Sequence, residues 1–302
     1  MQSIRKFIDF VEIRTKITSV LTFLLTLAYL FYRRQPINVE RTLLFFASMF
    51  LFDLTTTAIN NYIDTKTNGQ TLQFSRRTAK LLIFVLFAVS TFLGLFLAYR
   101  TDAVVLLLGG LCFVCGVCYT WGPVPISRMP LGEVFSGLFY GLFIPFLMLY
   151  MNLPKGTFLV LGLSTQTIQL QLSVVPCLLL LLFSVSPICA TANIMLANNI
   201  CDVEKDIKVG RHTLPYYLGK KALYLFAALY YVTYLTFVVL IALKVLSPVC
   251  LLQLLTIIPV QKNIRRFMKE HKKETTFALS VQNFIIIIGS QTVLIFLSGL
   301  FI

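Results

Sequence analysis

The chain has 302 residues, 58% apolar and 13% charged, with a mean hydropathy of +0.84 and a formal charge of +14. That balance excludes a water-soluble globular protein and points to a polytopic membrane protein. The positive charge suits an anionic membrane surface, an anionic substrate or both, and no nucleic-acid partner is expected.

In chain order, residues 1–16 (MQSIRKFIDFVEIRTK) set charges among Ile, Phe and Val at helical spacing. They predict an amphipathic helix on the inner leaflet rather than a signal peptide, since no short apolar core with a small-residue cleavage site follows. A bilayer requires about 20 apolar residues per spanning helix. Nine candidate spans follow, near 17–32, 42–62, 79–99, 103–120, 132–151, 174–198, 222–243, 245–260 and 279–301. Unpaired backbone groups are not tolerated in lipid, so these runs are helices. The expected fold is all-α, a single domain over 1–302, with a nine-helix bundle around a central cavity open to the cytoplasmic side and laterally to lipid. The polar interruption at 153–173 is expected to hold a short surface helix or a loop.

With the amino terminus in the cytoplasm, 20 of the 26 Lys and Arg residues fall on the cytoplasmic side. That positive-inside bias places a multi-pass protein in the cell membrane with its polar helix ends facing the cytoplasm. Cys112, Cys115 and Cys118 share a drifting stripe of one span and read as small apolar packing residues. Gly137 and Gly141 permit close helix contact, and Trp121 falls at an interface.

Only twelve residues are acidic, so their placement is informative. Asp53, Thr57, Asn60 and Asp64 lie on one helical face, and so do Asn198, Asp202 and Asp206. Two related boxes result, NNYID at 60–64 and NNICDVEKD at 198–206, each followed by a glycine (Gly69, Gly210) and basic residues. Carboxylates and amide oxygens are hard donors suited to Mg²⁺. Lys66, Arg76 and Arg77 after the first box, and Lys205, Lys208 and Arg211 around the second, suit the remaining oxygens of a diphosphate. The rival reading from another class is a secondary transporter, which also uses repeats and intramembrane acids. Against it, only Asp53 lies deep, and it reads as a buried polar contact.

These motifs resemble those of the UbiA superfamily of intramembrane prenyltransferases over nearly the whole chain. NNYID is similar to the first family motif, NDxxDxxxD, and DVEKD to the second, DxxxD. YTWGPVPISRMPLGE (119–133) resembles the YTGGPxPLxxxxLGE segment of the 1,4-dihydroxy-2-naphthoate branch, and NNICDVEKDIKVGRHTL its NNxRDxxxDxxxGxxTL.

The resemblance implies transfer of a polyprenyl group from polyprenyl diphosphate to 1,4-dihydroxy-2-naphthoate, with loss of CO₂ and pyrophosphate, giving a demethylmenaquinone. The partners implied are those two substrates and membrane lipids. Mg²⁺ is then held by Asn60, Asp64, Asn198, Asp202 and Asp206, and the diphosphate by Lys205 and Arg211, with Lys66, Arg76, Arg77 and Lys208 behind them. Tyr119 either stabilises an allylic cation with its ring or anchors the interface. Glu133 either contacts the acceptor or starts a helix. The chain departs from the first motif at Asn61 and Asn68, where relatives carry Asp, and Gln70 also lacks charge. Asp64 is thus the acid left in that box, and an Asn61→Asp change is expected to be tolerated.

Overall fold

The computed structural model describes residues 2–66, 71–122 and 125–301. Asn68, Gly69 and Gln70 of the first-box loop lie outside the described residues, as do Pro123 and Val124. Among the described residues seven helices are long and apolar enough to cross a membrane: Ile13–Tyr32, Val39–Asp64, Arg76–Arg100, Gly132–Asn152, Val174–Lys208, Lys221–Ala242 and Phe277–Leu300. An eighth apolar helix, Ala103–Cys118, has 16 residues. Where a span was expected at 245–260, Pro248 opens a 3-10 helix to Thr256 and an α-helix follows at Ile257–Lys269. Val260, Ile264 and Phe267 of that helix are buried while Lys262, Arg265, Arg266 and Lys269 are exposed, so it is amphipathic rather than uniformly apolar.

The chain divides into two compact units, one of Met1–Val20 with Asn38–Ile126, the other of Leu21–Ile37 with Ser127–Ile302. In the first, the expected single amphipathic helix is two pieces, Gln2–Phe10 and a 3-10 turn at Ile13–Lys16, because Glu12 takes a left-handed conformation (φ 47°). The break lets Phe10 and Val11 pack, fully buried, against Leu54, Ala58 and Ala79. Side-chain oxygens start the next helices: Asn38 accepts from Arg41 N (3.0 Å), Ser75 from Thr78 N (3.2 Å) and Asp102 from Val104 N (3.0 Å). Each satisfies a backbone donor that the helix leaves open. Leu81, Phe84, Phe92 and Leu95 form an exposed stripe on Arg76–Arg100, a face suited to lipid. Cys112 and Cys115 are only partly buried and Cys118 is exposed, so that stripe is not the buried packing seam expected of it.

Asp53 makes the buried contact expected of it, with a partner the pattern did not identify. Lys16 Nζ donates to Asp53 Oδ1 (2.9 Å), to the Asp53 carbonyl (3.0 Å) and to Thr57 Oγ1 (2.5 Å). Ser19 Oγ donates to Asp53 Oδ2 (2.7 Å), and Lys16 and Asp53 are 3% and 6% exposed. Every donor of the ammonium is thereby used inside the protein. Asp53 and Thr57 therefore serve the amino-terminal segment and do not extend the box at 60–64.

In the second unit, Val174–Lys208 is a single helix of 35 residues, about 52 Å long at 1.5 Å per residue. It exceeds the hydrocarbon thickness of about 30 Å, so the expected end at 198 is only where hydropathy falls. The box at 198–206 rides on its projecting turns. Gly141 seats the neighbouring helix: a Cβ there would lie 2.3 Å from Ile188 N and 2.5 Å from its Cα. Gly137 meets the same residue, with Ile188 O at 3.0 Å. The core gathers Leu196, Phe226, Tyr230, Ile264, Phe267 and Phe284. At 153–173 the chain forms neither helix nor plain loop but a hairpin, with Leu159–Leu163 antiparallel to Ile168–Leu172. The alternation IQLQL, wholly exposed in the second strand, is strand patterning.

Removing one member of a buried ion pair leaves a charge in apolar surroundings and costs about 3–5 kcal/mol, whereas replacing both is near neutral. Lys16→Met is accordingly expected to lower the thermal unfolding midpoint in detergent strongly, and Lys16→Met with Asp53→Leu to restore most of it.

Candidate active site

The first box ends the Val39–Asp64 helix, and its side chains divide between two neighbours. Asn60 Oδ1 accepts a hydrogen bond from Thr120 Oγ1, which fixes the residue after Tyr119 to the box. Tyr119 itself closes the Ala103–Cys118 helix and is half-buried. Asn61 turns the other way: its Nδ2 donates to the Phe10 carbonyl (2.9 Å) and to Glu12 Oε1 (3.2 Å). Asn61 thus has a role through its nitrogen that its position in the motif does not describe. It is a donor, and both of its acceptors would repel a carboxylate. Lys66 and Arg76 flank the ring of Tyr62, each 5.2 Å from its centroid, and Arg76 Nη1 donates to the Tyr62 carbonyl (2.6 Å). Asp64, the last residue of the helix, is half-buried, and Arg77 is exposed.

The second box lies on one continuous helix, so its spacing translates directly into a face. Asn198 Oδ1 and Asp202 Oδ2, one turn apart, both accept from Lys273 Nζ, at 2.5 Å for Asp202. Lys205 approaches the other oxygen, Asp202 Oδ1, at 3.8 Å with its side chain 71% exposed. Asp206 is buried, and its carbonyl accepts from Val209 N (3.1 Å) and Arg211 N (2.9 Å) where Gly210 (φ 70°) reverses the chain. That conformation is the reason for glycine here. It turns Arg211 back toward the helix end while Lys208 stays exposed.

Glu133 belongs to this neighbourhood. Asn199 Nδ2 donates to Glu133 Oε1 (2.9 Å), and Glu133 is 4% exposed with no hydrogen-bond partner for Oε2 among the described residues. His212 N also donates to the Arg128 carbonyl (3.1 Å). The 119–133 segment is divided between the units after Ile126: Thr120 contacts Asn60 in the first, and Glu133 contacts Asn199 in the second.

Sequence reasoning missed Thr120, Asn199 and Lys273 as contributors, and Lys16 as the partner of Asp53. Lys273 is 71 residues from Asp202, with no motif around it. Among the described residues no three His, Cys, Asp or Glu side chains gather into one metal-ligating group. The second box nevertheless fits a magnesium ion by its donor chemistry. An amide oxygen and a carboxylate oxygen converge on one positive charge, here an ammonium.

Apolar spanning helices, with carboxylate, amide and basic side chains collected at helix ends, define a multi-pass helical membrane protein with a polar site at the ends of its spans. Residues 19–288 match the model of the UbiA prenyltransferase family, and the chain belongs to that family. It is 28% identical over 222 residues to the 1,4-dihydroxy-2-naphthoate octaprenyltransferase of Bacillus subtilis (strain 168), covering 68% of this chain and 65% of that one. The match thus spans just under two thirds of the relative's length.

Among solved structures, a digeranylgeranylglyceryl phosphate synthase in membranes is similar with a TM-score of 0.65, 18% identity and full coverage of both chains. A UbiA homolog from Archaeoglobus fulgidus bound to DMAPP and Mg²⁺ follows with a TM-score of 0.58 and 15% identity, covering 96% of this chain and 99% of that one. These likenesses establish the fold.

The contacts of Asn61 reverse the expectation that Asn61→Asp is tolerated. The change removes two donated hydrogen bonds and sets a carboxylate near the exposed Glu12; loss of the part-buried donor to the Phe10 carbonyl is the costlier, about 1–3 kcal/mol if that oxygen is left unpaired. Thermal unfolding in detergent is expected to show Asn61→Asp clearly less stable than wild type, with Asn61→Gln intermediate.

Proposed function

We propose that the chain transfers a polyprenyl group from a polyprenyl diphosphate to 1,4-dihydroxy-2-naphthoate, giving a demethylmenaquinone. One observation carries the donor half: Asn198 and Asp202 aim two oxygens at a single cation. The acceptor half rests on the 119–133 resemblance together with the Bacillus subtilis relative. Ala103–Cys118 and the 248–269 stretch would complete nine crossings, and the boxes would then face the cytoplasm, on the side where the positive-inside bias puts 20 of the 26 bases.

Asn198, Asp202 and Asp206 would hold magnesium from the second box, and Asn60 and Asp64 from the first. When bound, the metal neutralises diphosphate oxygens and so eases departure of pyrophosphate. Lys205 and Arg211 take up remaining charge on those oxygens, with Lys66, Arg76, Arg77 and Lys208 as secondary cations. The allylic C–O bond breaks with its electron pair leaving on pyrophosphate. The ring carbon bearing the carboxylate then forms the new C–C bond, and the carboxylate departs as CO₂, returning its bonding pair to the ring. Tyr119 offers a π face to the allylic cation. Glu133 braces Asn199 and keeps Oε2 for the acceptor side. The transporter reading loses its main support, because the one deep acid, Asp53, is committed to Lys16.

Purified protein supplied with 1,4-dihydroxy-2-naphthoate, a polyprenyl diphosphate and Mg²⁺ is expected to release pyrophosphate and a lipophilic quinol. Asp202→Asn and Asp206→Asn are each expected to reduce turnover at least 100-fold while the protein still inserts and purifies, a loss of about 2.7 kcal/mol at 1.36 per decade. Wild-type turnover retained in either variant would remove that residue from the metal set.

A further inference from the structure

Lys273 occupies a position that neither motif describes. It lies in the turn between Ile257–Lys269 and Phe277–Leu300. That turn is fastened by Thr276, fully buried, whose Oγ1 accepts from Lys272 N (2.9 Å) and donates to the Lys272 carbonyl (3.1 Å). From it the Lys273 ammonium donates to Asn198 Oδ1 and Asp202 Oδ2 and lies 5.1 Å from the centre of the Phe277 ring. Lys272 pairs instead with Glu270 at 2.7 Å, and the pairing holds that carboxyl below its ordinary range. Only one of two adjacent lysines is thus directed to the box.

The helix's own cation here, Lys205, stands 3.8 Å from Asp202 Oδ1 with its side chain 71% exposed and does not bridge the pair. In the NNxRDxxxD pattern the residue before the first Asp is Arg, and here it is Cys201. The cation that bridges Asn198 and Asp202 comes from a distant loop. Two like charges on one donor pair repel strongly where water is scarce. A divalent ion on those oxygens would therefore displace the ammonium, which stays tethered alongside and meets the diphosphate oxygens that arrive with the metal.

We propose that Lys273 is a placeholder cation: it occupies the metal position of Asn198 and Asp202 in the substrate-free protein and pairs with the diphosphate in the loaded one. The inference rests on the metal–diphosphate half of the proposed function and is independent of the acceptor. It makes Lys273 a competitor of the metal in one state and a substrate ligand in the other. General loss of structure cannot imitate that pair of effects, because damage weakens both.

The test uses full-length protein in detergent, with Mn²⁺ as a spectroscopic probe for the metal and inorganic pyrophosphate as a probe for the leaving group. By electron paramagnetic resonance of free Mn²⁺, Lys273→Met is expected to bind the ion about tenfold more tightly than wild type without pyrophosphate. It is expected to bind pyrophosphate about tenfold more weakly at saturating Mn²⁺, the size of one lost charge-assisted hydrogen bond. Lys272→Met removes the same charge from the same loop and is expected to shift neither affinity beyond about twofold.

Unchanged or weakened Mn²⁺ binding in Lys273→Met overturns the proposal, as does an equal response in Lys272→Met. If the protein shows the expected pattern yet makes no naphthoate product, the acceptor assignment fails and the role of Lys273 stands. If it prenylates naphthoate while Lys273→Met changes neither affinity, the role of Lys273 fails and the acceptor assignment stands.

Discussion

A charge placed in the apolar part of this chain has to be neutralised where it lies, and the Lys16–Asp53 pair shows what that demands. The ammonium uses its donors on Asp53 and Thr57, and Ser19 satisfies the far carboxylate oxygen. An isolated charge at such depth costs several kcal/mol, so neither residue is tolerable without the other. The pair also ties the amino-terminal segment to the helix that ends in the first box. The break at Glu12, the burial of Phe10 and Val11, and the use of Asn61 as a donor to Phe10 and Glu12 all belong to that attachment.

The same constraint sorts the remaining polar side chains. Several within the spans find partners nearby: Asn193 Nδ2 donates to the Phe226 carbonyl (2.9 Å), Ser48 to the Ser90 carbonyl (2.9 Å) and Ser186 to Gln291 (2.9 Å). Groups that can exchange partners with a ligand are found where helices end or outrun the hydrocarbon. The Val174–Lys208 helix outruns it furthest, and its last turns carry the second box. Oxygens at those ends can exchange a protein partner for water or a cation, which suits them to ligand chemistry.

How much of this was legible in the sequence follows the range of the physics involved. Spans were legible because an apolar run is a local property, and the box spacing was legible because 3.6 residues per turn is too. Helix ends were not: hydropathy falls at Asn198, but the backbone continues helical to Lys208, since polar residues propagate a helix that packing has already nucleated. The hairpin at 159–172 was visible in principle in IQLQL and was masked by its position in a polar interruption. Two short apolar segments fell below spanning length for different reasons, Ala103–Cys118 through its short run and 248–269 through Pro248 and the bases that follow. Contacts between residues far apart, Lys16 with Asp53 and Lys273 with Asp202, left no trace in spacing.

Asn61 shows why a motif letter is insufficient evidence of a role. Read against a pattern with Asp, an Asn is a ligand that has lost its charge. In the fold its nitrogen, not its oxygen, carries the function, because both neighbours are acceptors and only an amide can donate to them. Asn198 makes the opposite choice, presenting its oxygen to Lys273. The first asparagines of the boxes, Asn60 and Asn198, both accept through Oδ1, from a hydroxyl and an ammonium respectively. The second asparagines, Asn61 and Asn199, both donate through Nδ2, to the amino-terminal segment and to Glu133. The repeat is therefore one of hydrogen-bond polarity: an oxygen available to a cation, followed by a nitrogen that anchors the helix end to a neighbouring element. An Asp can accept at the first position but cannot donate at the second, which gives Asn at 61 a structural reason.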